Sequence, residues 1–545
     1  MKRMRAAVWR AGKPGEALMW AGSDNSGQAS RPVILRPYAK PGPGRLVQAV
    51  LLLAFAGFCL FFGFLYGLTT PFLIKQLVIP IILLAFVTIW ALPDTKSAPV
   101  GTLYGLSFAF IIVLFLWPNY LAIALPGLPW ITLMRLVGAP LALVLAISYS
   151  MSPDFRAQMK ASLNATPLVY KLLAGFIVLQ IVTIAFSAEK DQSIQRVINA
   201  QLTWTTIYFA SCYVFLKPGR VHRWAVILWA VTLVVCLMGI FEYKISRPSW
   251  GAYVPNFLKV EDESVIRALT GSVRSATGLY RVQSTFTTSL GLAEFLALTA
   301  PFILHFVMFG KKLFTRVAAA ATMPLMLYVV IITDSRLGMV GFLLAFMLYL
   351  LLWSGLRWRA NKSSLLAPAI VLAYPAIFAL FITATMFVGR LRNMVWGGGD
   401  TAASTASRGA QYDMGIPMIL KAPWGHGAGT SGSTLGFVSP AGIQTIDTYY
   451  LAIGLEYGLI GFVVYYGMLI ASTYYAAKYA VRAPTGELSF FMPAAIALVN
   501  FIVIKSVFSQ QDNHPLIFML MGIVTAMVYR AMNGELEQSR PASVS

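Results

Sequence analysis

The sequence predicts an all-α polytopic membrane protein. Three observations carry this reading. Of the 545 residues, 58% are hydrophobic and 11% charged, with mean hydropathy +0.71, where a soluble domain carries roughly 25% charged residues. The apolar residues fall in runs of about twenty, the length of a helix that crosses a bilayer core; a membrane β-barrel would show short alternating segments instead. The net charge of +22 fits Lys and Arg gathered in cytoplasmic connections. No nucleic-acid-binding motif accompanies it, so nucleic acid is not an expected partner.

Taken in order, residues 1–45 are polar and basic, from Lys2 and Arg3 to Lys40 and Arg45, with Pro-Gly-Pro-Gly at Pro41–Gly44. No apolar core occurs before residue 46, which argues against a signal peptide. This segment is expected to be a disordered cytoplasmic tail, with contact to anionic membrane lipid as a secondary role. Apolar runs follow at 46–68, 70–92, 102–117, 130–150, 166–187, 194–216, 223–244, 287–309, 314–333, 337–355, 365–388, 450–477, 488–508 and 515–531. They predict about fourteen spans, of which 102–117 is short for a full crossing. The expected organisation is a tail (1–45), N-terminal transmembrane helices (46–164), a transmembrane core (165–532) and a cytoplasmic C-terminal tail (533–545). Cys59, Cys212 and Cys236 lie in apolar runs without paired spacing and read as small core residues. The histidines are scattered without ligand spacing, so no metal site is expected.

With the N-terminus in the cytoplasm, the cytoplasmic connections become 93–100, 151–165, 217–223, 310–316, 356–364 and 478–486, nearly all of them short and basic. The opposite side receives 118–129, 187–193, the long 245–284, a tight turn at Thr333–Arg336, the long 389–449, and 509–514. Both long loops therefore share one side, in keeping with the positive-inside rule. The stretch from Ser404 to Phe462 is polar and Gly-rich in a chain otherwise suited to lipid. Its first part predicts a surface helix over Ser404–Ala422, capped by Ser404 or Ser407, kinked or broken by Pro417 and stopped at Pro423, Gly425 and Gly427.

Charged residues at a membrane boundary are expensive unless used or paired. Arg281, Arg336, Arg408 and Asp447 stand there on the side of the long loops. Each Arg also reads as a snorkelling anchor, although Arg336 lies in a turn too tight to need one. Arginines converging on one outer cavity suit a phosphate or diphosphate, because guanidinium is planar, permanently charged and bidentate. Asp447 reads as a catalytic carboxylate or as a helix cap. Glu456 and Glu294 lie just inside the apolar runs, where an acid is a functional candidate or a buried ion-pair partner. Tyr449 and Tyr450 suit an interfacial belt. Gly454, Gly458 and Gly461 share one helical face and read as a close-packing surface. No GxxxxGK[ST] loop or HExxH pair is present, which disfavours ATP-driven transport and zincin chemistry.

Four segments resemble the bacterial O-antigen ligase and Wzy-type polysaccharide polymerase superfamily. Arg281-Val-Gln-Ser-Thr-Phe is similar to the family's Arg-x-x-Gly-Thr-Phe, with Ser284 in place of Gly. Thr333-Asp-Ser-Arg336 is similar to its Thr-x-Ser-Arg. Arg408 followed by Pro423-Trp-Gly-His-Gly427 is similar to its Arg…Pro-x-Gly-x-Gly. Asp447-Thr-Tyr-Tyr-Leu451…Glu456-Tyr-Gly458 resembles its His/Asp-Asn-x-Tyr-Leu…Glu-x-Gly. The resemblance covers roughly residues 165–530.

It implies an inner-membrane glycosyltransferase of GT-C type, inverting, metal-independent and without cofactor, that works on the periplasmic face. Its partners would be an undecaprenyl-diphosphate-linked glycan, an acceptor glycan, membrane lipid, and a flippase and chain-length regulator of the same pathway. By analogy, Arg281 and Arg336 bind the diphosphate and stabilise the leaving group, Asp447 is the base, and Arg408, Tyr450, Glu456 and Glu294 contribute to diphosphate or glycan binding. Family ligases carry His where this chain has Asp447, and Asn where it has Thr448. This favours polymerisation of an exopolysaccharide, capsule or O-antigen repeat over ligation of polymer to lipid A core. The alternative from another class is a transporter or flippase of lipid-linked oligosaccharide. Against it stand long loops on one side only and no inverted repeat with paired broken helices.

Overall fold

The structure is a computed structural model. It describes residues 82–535 except 126–129, 274–277, 279, 364, most of 388–401, 439–443 and 483–485, together with scattered positions between 50 and 68. The basic tail, the C-terminal tail beyond Glu535, Cys59 and most of the runs at 46–68 and 70–92 lie outside the described residues.

The described chain is almost entirely helical. Its helices are α1 (Val100–Leu116), α2 (Leu133–Met151), α3 (Pro153–Asn164), α4 (Pro167–Thr183), α5 (Lys190–Ala200), α6 (Thr206–Val214), α7 (Arg220–Ile245), α8 (Glu263–Thr270), α9 (Ser289–Phe309), α10 (Leu313–Ile332), α11 (Arg336–Ala360), α12 (Leu366–Phe387), α13 (Ala402–Lys421), α14 (Ser431–Leu435), α15 (Tyr449–Ala480), α16 (Phe491–Lys505) and α17 (His514–Arg530). Among the described residues, ten helical segments are long and apolar enough to cross a membrane. Each coincides with an apolar run read from the sequence. The short run at 102–117 is α1, of 17 residues. The run at 194–216 is split between α5 and α6, which a π turn at Gln201–Thr205 joins.

Burial sorts the helices. The spans of α17, α9 and α16 are 89%, 83% and 78% buried, whereas that of α12 is 6% buried. The first three therefore form the centre and α12 lies at the rim. Exposed apolar side chains such as Leu372, Leu380, Val317 and Val463 are what lipid-facing surfaces require, since apolar surface gains nothing by hiding from lipid. Cys212 and Cys236 are buried free thiols.

Hydrogen bonds then sort the connections onto two ends of this bundle. At one end, Thr285 donates to Phe115 O at 2.6 Å, Val282 N to Ile332 O at 3.3 Å, Thr287 to Asp512 at 2.6 Å, and Ser193 to Ala428 O at 2.9 Å. The first three bind the segment after α7 to the ends of α1 and α10 and to the connection after α16, and the fourth binds the start of α5 to the segment between α13 and α14. All of these segments belong to or border connections that charge asymmetry put on one side. At the other end, Arg530 pairs with Glu487 and Glu535, both at 2.6 Å. Glu487 also accepts the backbone N–H groups of Gly219 and His222.

The first end has its own small structures. Two-residue strands β1 (Ala122–Ile123) and β2 (Ile131–Thr132) pair antiparallel, as do β3 (Ser272–Val273) and β4 (Tyr280–Arg281), with Ser272 opposite Arg281. Tyr120, Leu121 and Ala122 pack with Val254, Val260, Val265 and Ala268 in a separate apolar cluster. Residues 250–269 of the connection after α7 are thereby a folded cap anchored on residues 117–122.

Candidate active site

The site begins with a buried acid that the sequence reading passed over. Glu242, in the last turn of α7, is fully buried. It accepts Tyr280 Oη at 2.6 Å, Gln283 N at 3.1 Å and Ser284 N at 2.7 Å. A buried carboxylate held by three donors fixes the segment that follows β4. Ser284 there has φ 49°, the left-handed region where a Cβ is disfavoured. Its Oγ donates to Val235 O at 3.0 Å. This is the position at which the resembling motif has Gly, and Glu242 is what holds Ser in Gly's conformation.

Arg281 is thus set against the α10–α11 turn. Its Nε donates to Thr333 O at 3.2 Å and its Nη2 approaches Asp334 O at 3.5 Å. Asp334 has φ 49°, a conformation Asp tolerates better than most residues. Ser335 caps α11 by accepting Gly338 N at 3.1 Å, and Arg336 is its first residue. The structure therefore brings Arg281 and Arg336 to one turn.

Arg408 and Asp447 form a second group. Arg408 lies on α13, and burial lowers its proton affinity while nearby Asp447 opposes that. Its Nε is buried without a hydrogen-bond partner among the described residues. Asp447 N donates to Gln411 Oε1 at 2.9 Å, which ties α13 to the start of α15. The cap of α15 is Thr448, whose side chain accepts Leu451 N. Asp447 is therefore not the cap. Ser404 and Ser407 are not caps either, since α13 starts at Ala402 and runs through Pro417 to Lys421.

The other expected residues are engaged in packing. Glu294 and Lys505, both fully buried, form an ion pair at 2.8 Å. Asn513 Nδ2 adds a bond to Glu294 at 3.0 Å. Glu456 accepts Ser431 Oγ at 2.8 Å. Tyr450 Oη donates to Ile502 O at 2.9 Å. Gly458 is not part of a continuous packing face. Its φ of 69° and ψ of −172° break α15, and a Cβ there would lie 1.9 Å from Pro423 O. The Pro423–Gly427 loop occupies that break: His426 N bonds Leu455 O at 2.9 Å and Gly427 N bonds Glu456 O at 3.0 Å. The loop thus satisfies carbonyls that an unbroken helix would have used itself.

The cavities at this end of the bundle include two that share Asn119 and Trp130. The larger, about 490 Å³, is lined by Arg281, Arg267, Tyr120, Gln283, Thr287 and Thr288 among others, within the ~300–1,000 Å³ usual for a ligand pocket. The smaller, about 190 Å³, is lined by Arg135, Arg196, Asn199, Trp204, Gln511 and Asp512 among others. Arg135 donates to Asn199 Oδ1 at 3.2 Å and to Trp130 O. Arg196 runs its stem past Gly429. Arg135, Arg196, Arg267 and Asp512 went unnoticed in the sequence. They come from four distant segments, and no local spacing announces them.

Among the described residues, ten apolar helices with a polar, arginine-lined cleft at one end define a multi-pass membrane protein. Residues 321–466 match the family model described as O-Antigen ligase, and over that segment the resemblance to the O-antigen ligase and Wzy-type superfamily holds. No curated protein matches the chain. The matched segment contains Arg336, Arg408, Asp447 and Glu456, whereas Arg281 and Asp512 lie outside it. The family consists of glycosyltransferase-like enzymes, ligases or polymerases, and supports a function of that type in polysaccharide assembly on lipid-linked glycans.

Proposed function

We propose that the protein is a polysaccharide polymerase. It would transfer glycan from undecaprenyl diphosphate to an acceptor glycan at the periplasmic face of the bacterial inner membrane, with inversion and without a metal. The observation that carries this reading is the pairing of Arg281 with the Arg336 turn beside a cavity of ligand size. Arg281, which lines that cavity, and Arg336, which lines neither cavity but opens the helix after the turn that Arg281 binds, would together neutralise a diphosphate as the glycosidic bond breaks, which lowers the barrier most where the site is preorganised. Arg408 and Asp447, on α13 and at the start of α15, would hold the glycan. The end bearing the cleft faces the periplasm and both termini face the cytoplasm. A flippase delivers the donor and a chain-length regulator sets the product.

The ligase reading is favoured by the family's description. Asp447 and Thr448, in place of His and Asn, turn the choice toward polymerase. One experiment tests role and residue together: analysis of lipid-linked glycans in a strain whose sole copy carries Arg336→Ala. Accumulated single repeat units are the expected result. Long glycans stranded on the carrier would make the protein a ligase. Normal polymer would remove Arg336 from diphosphate binding.

A further inference from the structure

We propose that Asp512 is the general base of the transfer, an assignment that rests on the transferase reading above. Among the residues lining the two cavities, Asp512 is the one carboxylate; Asp447 lines neither. It stands in the smaller cavity with Arg135 and Arg196. Its hydrogen-bond partner Thr287 stands in the wall of the larger one with Arg281, so Asp512 lies where the two adjoin.

Its orientation is fixed. Thr287 Oγ1 donates to Asp512 Oδ2 at 2.6 Å. The same oxygen rests over the first turn of α9, where a Cβ on Gly291 would come within 2.8 Å of it. Thr287 engages the carboxylate through its hydroxyl and its backbone N–H, which leaves capacity among the four lone-pair sites for an incoming hydroxyl.

The surrounding charges leave it able to accept a proton. Lys505, at the end of α16, is committed to Glu294 of α9 and to Gln510 O. Arg196 of α5 acts on Asp512 from the cavity wall, and Tyr120 and Glu294 feel its charge. His514, two residues on, stacks on Trp204. No basic group lies within ion-pair distance of Asp512 among the described residues. Burial raises its proton affinity above the usual carboxylate range, opposed by the Thr287 hydroxyl, Lys505 and Arg196. A raised proton affinity suits a base that works near neutrality.

The step balances as a single displacement. The acceptor oxygen forms a bond to the anomeric carbon as that carbon's bond to the phosphate oxygen breaks. Undecaprenyl diphosphate leaves with the electron pair, and the acceptor hydroxyl proton passes to Asp512 and from there to water.

The test uses the full chain in lipid nanodiscs with a polyprenyl-diphosphate-linked oligosaccharide as donor and acceptor, reading polyprenyl diphosphate release against pH. Asp512→Asn is expected to lose at least ~100-fold in rate, the low end of general-base contributions. Thr287→Val is expected to stay active with its acid limb moved to higher pH, because the lost hydroxyl bond favoured the carboxylate. That shift distinguishes a base from a residue needed only for folding. If Asp512→Asn keeps the wild-type rate, if Thr287→Val leaves the limb in place, or if Asp447→Asn rather than Asp512→Asn abolishes the limb, the assignment is wrong. Absence of release by the wild-type protein at every pH would overturn the transferase reading itself.

Discussion

Glu294 and Lys505 show how a single residue's role turns on its partner. Both are fully buried and 2.8 Å apart, with Asn513 filling a further acceptor site on the carboxylate. Removing one partner of such a pair leaves an uncompensated buried charge, which costs about 3–5 kcal/mol. Glu294→Ala should therefore lower the unfolding temperature of the purified protein sharply. The double variant Glu294→Met with Lys505→Met should be more stable than either single change. A well-folded but inactive Glu294→Ala would instead mean that the acid meets substrate. The sequence could place Glu294 at its depth but could not supply Lys505, 211 residues away. Ser284 teaches the same lesson in reverse. Its departure from the Gly of the resembling motif was legible, but its positive φ and the Glu242 clamp that secures it were not.

The spans were legible as elements because periodicity and length are local properties, and among the described residues every helix long enough to cross coincides with an apolar run. The break in α15 was not. Its glycines fit a packing stripe equally well, and the loop that fills the break lies about thirty residues upstream. Gly458→Ala should cost at least ~2 kcal/mol, because the new Cβ meets both a left-handed φ and a backbone carbonyl. Thermal unfolding checks this, and an unchanged midpoint would mean that the loop does not depend on the break. For α13 the existence and approximate span were readable, while its start was not. Pro417 forfeits one helical hydrogen bond, yet the helix continues to Lys421.

At the scale of the whole molecule, hydrogen bonds join connections that charge asymmetry had put on one side: the one after α7 with the one after α16 through Thr287 and Asp512, and the one before α7 with the one before α16 through Glu487. Arg281 and Arg336 were legible as a pair. The cleft was not, because its walls come from the connection after α1, the start of α2, α5 and the π turn that follows it, and the connections after α7 and α16. The most direct measurement is transfer by the purified chain in nanodiscs, given undecaprenyl-diphosphate-linked repeat units. Lengthened lipid-linked glycans, one undecaprenyl diphosphate released per new glycosidic bond, and loss of both with Arg281→Ala are the expected results. Repeat units that stay single while the wild-type protein binds them, or lengthening that survives Arg281→Ala unchanged, would contradict the proposed mechanism.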